Sequence, residues 1–336
     1  MRFLIRLIFI LFVLLFIVMA FGWFYAASQV KEQLANAVNN SRGSDTSIDF
    51  DNVEVSGFPV SFNVTLTNLS VDSQSKGVFW QAPTHVAAKY SFFSPKTLMI
   101  EASGQHLISG TGTNANFPLI KVDLAAERIA ATVGFDQKVK NVDLGISSLV
   151  AHTAGLGNTT MKNFKFQLNT PNADASVFTG SMDSFTPPEP FATMATLSGA
   201  EIGGSIKQGL PKSIKKRHIS AWQKAGGEVV LDGFRANVLP MMIDGNGTIG
   251  LSDNLQLNAS VTTYAQNFEE MLNKAIELGF LQADRLSYIQ LGSVMFQRPS
   301  RLGQGNEMVL PLKVRDGDVA FGPFKLATLP RINWRN

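Results

Sequence analysis

The feature that most constrains this chain is an apolar segment close to its start. Residues 7–27 carry no formal charge, and a helix of that length is about 31 Å long at about 1.5 Å per residue. This length matches the hydrocarbon core of a lipid bilayer. Arg2 and Arg6 precede the segment, whereas Lys31 after it is followed at once by an acidic residue. The positive-inside bias therefore predicts a cytoplasmic tail, residues 1–6, and a chain that otherwise faces outward.

The exit of the apolar segment favours a retained anchor over a cleaved leader. A secretory signal peptide has an apolar core of about 7 to 15 residues and ends in an A-x-A-like site. Here the apolar run is longer, and Trp23, Phe24 and Tyr25 crowd its exit as an interfacial aromatic belt does. We therefore predict an uncleaved signal anchor over 7–27, with residues 26–28 as the alternative cleavage site.

The charge of the remaining chain argues against a nucleic-acid-binding protein. The sequence has 29 basic and 26 acidic residues, so that removing Arg2 and Arg6 leaves 27 against 26, a formal charge of +1. Nucleic-acid binders need a clustered cationic excess. Only 16% of the residues are charged, against roughly 25% in soluble domains, because Ser, Thr, Asn and Gly take many polar positions. We therefore expect the membrane as a partner and no nucleic acid.

The segment after the anchor alternates apolar and polar residues in the manner of amphipathic strands. Val60, Phe62, Val64 and Leu66 alternate with Ser, Asn and Thr, which is the period of a sheet with one buried face. The same period returns around 164–168, 229–231 and 249–261. Residues 244–247 and 253–254 have the composition of hairpin turns. The sequence predicts a β-rich α+β fold in which a transmembrane helix is followed by long antiparallel amphipathic sheets with a few packed helices.

Breaks in these patterns predict the organisation of the exported part. A stalk over 28–44 precedes a first β-rich half, 45–183. The Pro-rich connection 184–190 is unsuited to a sheet interior, and a second β-rich half follows over 191–336. Helical periodicity with suitable start and stop residues predicts helices in the second half, near 212–225, 266–278 and 284–296.

Several motifs of the chain occur together: the anchor, the segments 55–60, 80–83 and 90–95, the Gly-Asn-Gly of 245–247, the helical pair around 275–291 and the tail 316–324 with Leu329-Pro330. In this combination they resemble an alphaproteobacterial envelope family catalogued as domain of unknown function number 2125. The resemblance covers nearly all of the exported chain and implies a periplasmic location with an inner-membrane anchor. It implies no catalytic residue. A weaker, fold-level likeness to AsmA-like envelope proteins, which are associated with lipid movement, is an analogy only.

The residue patterns give little support to an enzyme. The four histidines stand far apart and lack zinc-ligand spacing, so we expect no metal and no cofactor. Ser213 begins an S-x-x-K motif, but the companion motifs of penicillin-binding enzymes are absent. We predict no catalytic residue and no enzymatic activity. A hydrolase with scattered Asp, Glu and Ser residues stays open, and a deep polar pocket with convergent carboxylates would favour it.

The predicted helix over 212–225 is basic and allows two interpretations. Lys212, Lys215, Lys216 and Arg217 surround a small apolar stripe that includes Trp222. Such a helix can rest against anionic lipid headgroups, or its Trp can face the protein core while its basic side chains are solvated.

The strand face formed by Phe58, Val60, Phe62, Val64 and Leu66 also allows two interpretations. Covered by helices, it is a core; left partly open, it is a groove for acyl chains. Burying apolar area is worth about 25 cal/mol per Å² whether a helix or an acyl chain covers the face, so this energy does not distinguish the two interpretations. The anchor and the small number of predicted helices favour a groove. We expect a protein that binds or passes lipid or another hydrophobic envelope component, with a scaffold that binds a partner protein as the alternative.

Overall fold

The computed structural model describes residues 2–42, 44–73, 77–110, 120–136, 138–172, 174–189, 191–279, 296–301, 306–321 and 324–334. The chain divides into two compact units. Unit 1 comprises Met1–Lys138 and Leu144–Gly157, and unit 2 comprises Val139–Asp143 and Asn158–Asn336.

Unit 1 combines a long helix with short antiparallel strands. Helix α1 spans Arg2–Ser41. The strands are β1 Thr46–Asp49, β2 Asn52–Ser56, β3 Ser61–Thr67, β4 Ser70–Ser73, β5 Val78–Gln81, β6 His85–Ser91, β7 Ser94–Glu101, β8 Gly104–Gly110, β9 Ile120–Ala126, β10 Ile129–Asp136 and β11 Lys138–Thr153, part of which belongs to unit 2. They pair in the orders β1–β4–β5–β8–β9–β11 and β2–β3–β6–β7–β10, antiparallel throughout.

Unit 2 is an antiparallel sheet of longer strands with short helices. The strands are β12 Gly157–Asn172, whose first residue belongs to unit 1, β13 Ala175–Thr186, β14 Leu197–Lys207, β15 Glu228–Val238, β16 Met241–Leu251, β17 Leu257–Gln266, β18 Gln297–Pro299, β19 Asn306–Arg315, β20 Asp318–Phe321 and β21 Phe324–Thr328. The helices are α2 Ala192–Ala195, α3 Lys216–Lys224 and α4 Phe268–Glu277. Strands β12 to β17 pair in chain order, β19 pairs with β17, β18 and β20, and β21 pairs with β20.

The predicted fold class is confirmed at the level of a β-rich, antiparallel fold that begins with a helix and carries few others. Within the described residues, no helix combines the length and the hydropathy that a membrane span requires. The side chains of residues 2–13 and of residue 15, which include part of the predicted anchor, lie outside the described part. The anchor therefore stays a prediction.

The helices of unit 2 differ in part from the predicted segments. Helix α4 lies within the predicted range 266–278, but the range 284–296 lies almost wholly outside the described residues. Helix α3 begins at Lys216, four residues later than predicted. The hydroxyl of Ser213 accepts a hydrogen bond from the Lys215 amide at 3.3 Å and contacts Nδ1 of His218 at 2.7 Å. Such local bonds offer the backbone an alternative to the helix.

The division between the units does not fall at the Pro-rich segment 184–190. That segment lies inside unit 2, where it helps to connect β13 with the neighbouring β14. Ser184 and Phe185 still pair with Ser198 and Leu197. The prolines follow directly after the last paired residues, so the sheet continues across the connection.

The turn predicted at residues 244–247 is wrong. Those residues lie in the middle of β16 and pair with Thr262, Thr263 and their neighbours in β17. A Cβ at Gly245 would stand 2.3 Å from the Thr262 carbonyl oxygen and 2.6 Å from the Phe234 ring. Glycine is therefore required there by close packing inside a strand and not by a turn.

Helix α1 is the main packing partner of the unit 1 sheet. Trp23, Ala27 and Val38 are buried, and their spacing places them along one side of the helix. Trp23 donates a hydrogen bond from Nε1 to the Ser61 carbonyl at 2.9 Å. At the C-terminal end of the helix, the Ser41 hydroxyl accepts a hydrogen bond from the Ile48 amide at 2.9 Å. The region predicted as a stalk is thus a packed part of the unit.

A buried histidine also lies in unit 1. His106 on β8 is 6% exposed, and its Nδ1 accepts a hydrogen bond from Trp80 Nε1 at 3.3 Å. Its Nε2 has no hydrogen-bond partner in the described part of the chain. Burial lowers the pKa of His106 below its ordinary 6.5, with the backbone of Ala102 acting in the opposite direction. The folded protein therefore favours the neutral imidazole.

We expect unit 1 to lose stability below about pH 6.5 in part through His106. The pKa of His106 is lower in the folded than in the unfolded chain, so acidification protonates the unfolded chain first and favours unfolding. This contribution is fully present above the unfolded pKa and declines as the pH falls toward the folded pKa. Thermal unfolding between pH 8 and 5 should show a smaller acid-induced drop for His106→Gln than for the wild type. His85→Gln, at an exposed position, should retain the wild-type drop; identical profiles for all three proteins would contradict this assignment.

Candidate functional site

An apolar groove lies between helix α1 and strands β3 and β6 of unit 1. Its volume is about 460 Å³, and its lining residues are Gln29, Val30, Gln33 and Leu34 from α1, Val64 and Leu66 from β3, and Val86 and Ala88 from β6. We call it the apolar groove. Six of these eight side chains are apolar, and the two amides are one helical turn apart. The groove therefore suits an apolar ligand with, at most, a polar end near the glutamines.

Strand register builds the floor of the apolar groove. Val64 pairs with Ala88, and Leu66 pairs with Val86, so the four side chains stand on one face as two directly opposed pairs. On the helix, Val30 and Leu34 are four residues apart and lie on the side that also carries buried Val38. Two of the five predicted groove residues, Val64 and Leu66, thus line an actual groove.

The other three predicted groove residues have different surroundings. Phe62 stacks on Trp23 with ring centroids 5.3 Å apart, and Phe58 meets Trp23 edge-on at 5.7 Å. Phe58 and Val60 precede β3 and belong to the turn after β2, and Val60 is exposed. A Cβ at Gly57, where φ is +102°, would be 2.6 Å from the Ser61 hydroxyl. The alternation therefore extended the predicted strand three residues too far toward the N-terminus.

Exposed aromatic side chains lie beside Trp23, near the middle of α1. Phe93 in the β6–β7 turn is 81% exposed, and Phe24 and Tyr25 on α1 are also exposed. Ring contacts link the turn to the helix, because Phe92 meets Phe62 at 5.4 Å and Phe62 stacks on Trp23. We call Phe24, Tyr25, Phe92 and Phe93 the aromatic collar. Large exposed apolar patches of this kind mark protein or membrane contacts.

The predicted headgroup-facing residues lie on and before α3 in unit 2. Lys212, Lys215, Lys216 and Arg217 are exposed. Trp222 instead turns toward the protein. Its Nε1 donates a hydrogen bond to the Gly209 carbonyl at 2.9 Å, and a Cβ on Gly227 would overlap its ring. The four cations are therefore available to solvent or anionic groups, whereas the Trp222 ring packs against the protein, as in the second interpretation of this helix.

The arrangement nearest to a nucleophilic pair is Ser213 with His218. The hydroxyl and Nδ1 are 2.7 Å apart, but no carboxylate within the described residues hydrogen-bonds the histidine. The same hydroxyl also accepts the Lys215 amide, which gives it a role at the helix start. The described part of the chain holds no cluster of three or more His, Asp or Glu residues suited to a metal ion.

A charged cluster that the sequence patterns did not reveal lies in unit 2. Glu307 on β19 is 1% exposed and accepts hydrogen bonds from Nε of Arg298 at 2.7 Å and of Arg301 at 2.9 Å. Arg301 also pairs with Asp244 at 2.8 Å and lies 3.3 Å from the Tyr264 ring centroid. Burial acts to raise the pKa of Glu307, but the hydrogen bonds from the two arginines outweigh it and lower the pKa. Glu307 is therefore a buried carboxylate that fixes two guanidinium groups.

The remaining groove residues that sequence reasoning missed lie mainly on α1. Val30, Leu34 and Val38 repeat at a four-residue spacing within the segment interpreted as a stalk. That spacing was the available signal, because a free stalk has no need of one apolar side. Val86 and Ala88 carry no comparable signal, since small apolar residues are common on any strand.

Comparison with known proteins gives a match to a family of bacterial proteins without an assigned function. The family model, described as "Uncharacterized protein conserved in bacteria (DUF2125)", matches residues 23–330. No curated protein and no solved structure matches the chain. The likeness to AsmA-like proteins stays an expectation.

We expect Glu307→Gln to destabilise unit 2 by about 1–3 kcal/mol. Removing one partner of a buried ion pair costs about 3–5 kcal/mol, and the loss is smaller here because both arginines can regain water. Denaturant unfolding of the full chain measures the change. Lys207→Gln, which breaks the exposed 2.9 Å pair with Glu228, is the control and should cost at most about 1 kcal/mol. Equal losses in the two variants would contradict a special role for Glu307.

Proposed function

The chain belongs to the DUF2125 family of uncharacterized bacterial proteins, and we propose that it is an inner-membrane-anchored envelope protein that binds or passes lipid acyl chains in the periplasm. The apolar groove of unit 1 carries this proposal. Its volume of about 460 Å³ falls in the range of about 300–1,000 Å³ that is typical of small-molecule sites.

The chemistry of the lining selects the ligand class. A polar ligand would lose its hydrogen bonds to water against Val30, Leu34, Val64 and Leu66 without replacement, and that loss is costly. An acyl chain has no hydrogen bonds to lose, and relative to water it gains about 25 cal/mol for each Å² of apolar area that it buries. The floor is two strands wide and follows the helix, which favours a chain-like ligand over a compact one.

The position of the groove along α1 connects it with the predicted membrane segment. The groove residues of the helix begin at Gln29, two positions after the end of the predicted span 7–27, and continue to Leu34. At about 1.5 Å per residue they lie about 3–10 Å beyond that end along the helix. An acyl chain therefore needs to move only a short distance from the outer bilayer surface to reach the groove.

The aromatic collar supports a contact between unit 1 and the bilayer surface. Trp and Tyr are enriched at the membrane interface, and Phe serves on the apolar face of segments that lie in it. Phe24 and Tyr25 lie near the end of the predicted span, and Phe93 is linked to them through Phe92, Phe62 and Trp23. We propose that this turn lies in the interface and holds the groove at the membrane surface.

The exposed cations before and within α3 are a separate part of the proposal. Lys212, Lys215, Lys216 and Arg217 can attract anionic headgroups, each contributing about 1 kcal/mol near a charged membrane. Two neighbouring aliphatic side chains, Leu210 and Ile214, are 48% and 67% exposed, which suits a surface contact. We assign no catalytic residue.

Filling the groove is expected to prevent acyl-chain binding. The full chain in nanodiscs that contain a phospholipid with a photoreactive acyl chain should crosslink at Val30, Leu34 and Val86. Ala88→Phe places a ring over the floor and should reduce those crosslinks at least fivefold. Ala87→Phe, one residue away on the opposite strand face, is the matched control and should retain them.

The same experiment distinguishes the alternative of a protein scaffold. Crosslinks to lipid around the anchor report correct insertion and should not change in either variant. Groove crosslinks that are absent from the wild type, or that persist in Ala88→Phe, would contradict the lipid proposal. A stoichiometric protein adduct in intact membranes without a lipid adduct would favour the scaffold.

Labelling tests the aromatic collar independently of the groove. The chain has no cysteine, so Phe93→Cys gives a single site for an environment-sensitive fluorophore. In liposomes, we expect blue-shifted emission and quenching by lipids that carry a quencher on the acyl chain. The same label at Asp174→Cys, an exposed position directly before β13 in unit 2, should report water. Matching emission at the two positions would refute an interfacial location for Phe93.

A further inference from the structure

A second groove crosses the sheet of unit 2 and differs chemically from the apolar groove. Its volume is about 870 Å³. Strand register aligns Lys165, Ser181, Glu201, Arg235 and Asp244 in one row, each directly opposite the next on neighbouring strands β12 to β16. Because opposed residues share a face, this row forms one side of the groove. We call the whole feature the polar groove.

Two glycines form the floor of the polar groove. Gly203 pairs with Gly233 across β14 and β15, and Gly203 also faces Thr179 on β13. A Cβ on Gly203 would meet nothing within 4 Å, and one on Gly233 would only approach the Gly245 carbonyl at 4.0 Å. Neither has a positive φ.

The open space over these glycines calls for an explanation outside the fold. Gly204, Gly245 and Gly247 in the same sheet are required by packing, because a Cβ on each would lie within 2.5 Å of a backbone oxygen. Gly203 and Gly233 lack that packing reason, and neither has a positive φ that would demand glycine. Glycine inside a strand also marks places where a ligand approaches the backbone closely. Register shifts lie at both positions, and such bulges are frequent beside binding sites.

The charges beside the floor define which ligand fits. Lys165 and Arg235 are exposed cations, Glu201 and Asp232 are exposed carboxylates, and none of the four belongs to an ion pair of the described residues. Asp244 and Arg301 neutralise each other. The lining is thus neutral overall but dense in donors and acceptors.

We infer that the polar groove binds a neutral, hydroxyl-rich molecule, a saccharide, across its glycine floor. A polyanion is repelled by Glu201 and Asp232, and a polycation by Lys165 and Arg235. An apolar ligand leaves all four charged groups without hydrogen bonds to water. A peptide strand pairs with a sheet through an edge and not across a face. Sugar hydroxyls donate to carboxylates and accept from ammonium and guanidinium groups, so they match both signs of the row.

The inference concerns binding and not hydrolysis. Glu201 and Asp232 are exposed, whereas the acid of a glycosidase lies in an apolar pocket. The Tyr264 ring is covered by Arg301 at 3.3 Å and by Arg298 at 4.5 Å. Sugar rings therefore find hydrogen-bonding groups and bare backbone here, while the Tyr264 ring is already covered by the two arginines.

Saturation-transfer difference NMR on the full chain, in a detergent without a sugar headgroup, tests this inference. The probes are two neutral pentasaccharides, of β-1,4-linked glucose and of β-1,4-linked N-acetylglucosamine, with tripolyphosphate and spermine as charged comparators. We expect signals from at least one pentasaccharide and weaker binding of both comparators. Gly203→Leu places a side chain on the floor, at a position where a Cβ meets nothing within 4 Å, and should weaken saccharide binding more than tenfold. Gly145→Leu on β11, where a Cβ also meets nothing within 4 Å, should bind as the wild type does.

A second variant guards against misfolding of the first. Arg235→Gln keeps the floor open and removes one cation of the row, and it should weaken saccharide binding about three- to tenfold. The inference is overturned by the absence of signal from both pentasaccharides, by unchanged binding in Gly203→Leu, or by tighter binding of tripolyphosphate or spermine. The acyl-chain crosslinks of unit 1 should not change in Gly203→Leu, so the two proposals fail separately.

Discussion

The packing of Trp23 against strand β3 is the contact on which the arrangement of unit 1 depends. The indole is 6% exposed, stacks on Phe62 at 5.3 Å and donates to the Ser61 carbonyl. It therefore fixes the height and the rotation of α1 on the sheet with one apolar and one polar contact. Because the helix is rigid, this contact also sets the position of the residues that follow Trp23, including those over the groove. The aromatic residues at the exit of the predicted anchor thus have two roles, because Trp23 faces the sheet while Phe24 and Tyr25 stay exposed.

Local periodicity predicted the strands well, whereas composition identified one of two turns, because residues 253–254 lie in the turn between β16 and β17 and residues 244–247 lie inside β16. The alternation through Phe62, Val64 and Leu66 identified β3 and the face that meets α1. Alternation alone places no strand end, however, so Phe58 and Val60 were assigned to a strand that begins at Ser61. Residues 244–247 suggested a turn because Asp, Gly and Asn are common in turns, although here they lie inside β16. A glycine has the same appearance in a sequence whether a turn, a close backbone or a ligand requires it, and only the surrounding atoms distinguish the three.

Strand register explains why the charged row of unit 2 was not predictable. Glu201, Arg235 and Asp244 are separated by 34 and 9 residues in the sequence and stand beside uncharged neighbours, so no local window shows a cluster. Pairing across three strands brings them side by side. A shift of one residue in either pairing would send one of them to the opposite face. The buried Glu307 has the same origin, since its partners Arg298 and Arg301 come from the preceding β18 and the residues after it. Some of the few charged residues of the chain are thus brought together at particular places in the sheet of unit 2.

The apolar groove exists because α1 is fixed to the sheet at two points, Trp23 and Ser41, and is not in full contact with it between them. Trp23 inserts a ring between helix and sheet at one end, and Ser41 bonds to Ile48 at the other, about 27 Å apart along a helix. Between them the facing side chains are of modest size, with Ala88 the smallest, so helix and sheet are not in full contact. Apolar atoms that face such a gap lose dispersion contacts, and larger side chains at Ala88 or Val64 would restore them. The sequence instead keeps Val64, Val86 and Ala88 beside Leu66 on the floor, and the proposed acyl chain would supply the missing contacts without any change in the strands.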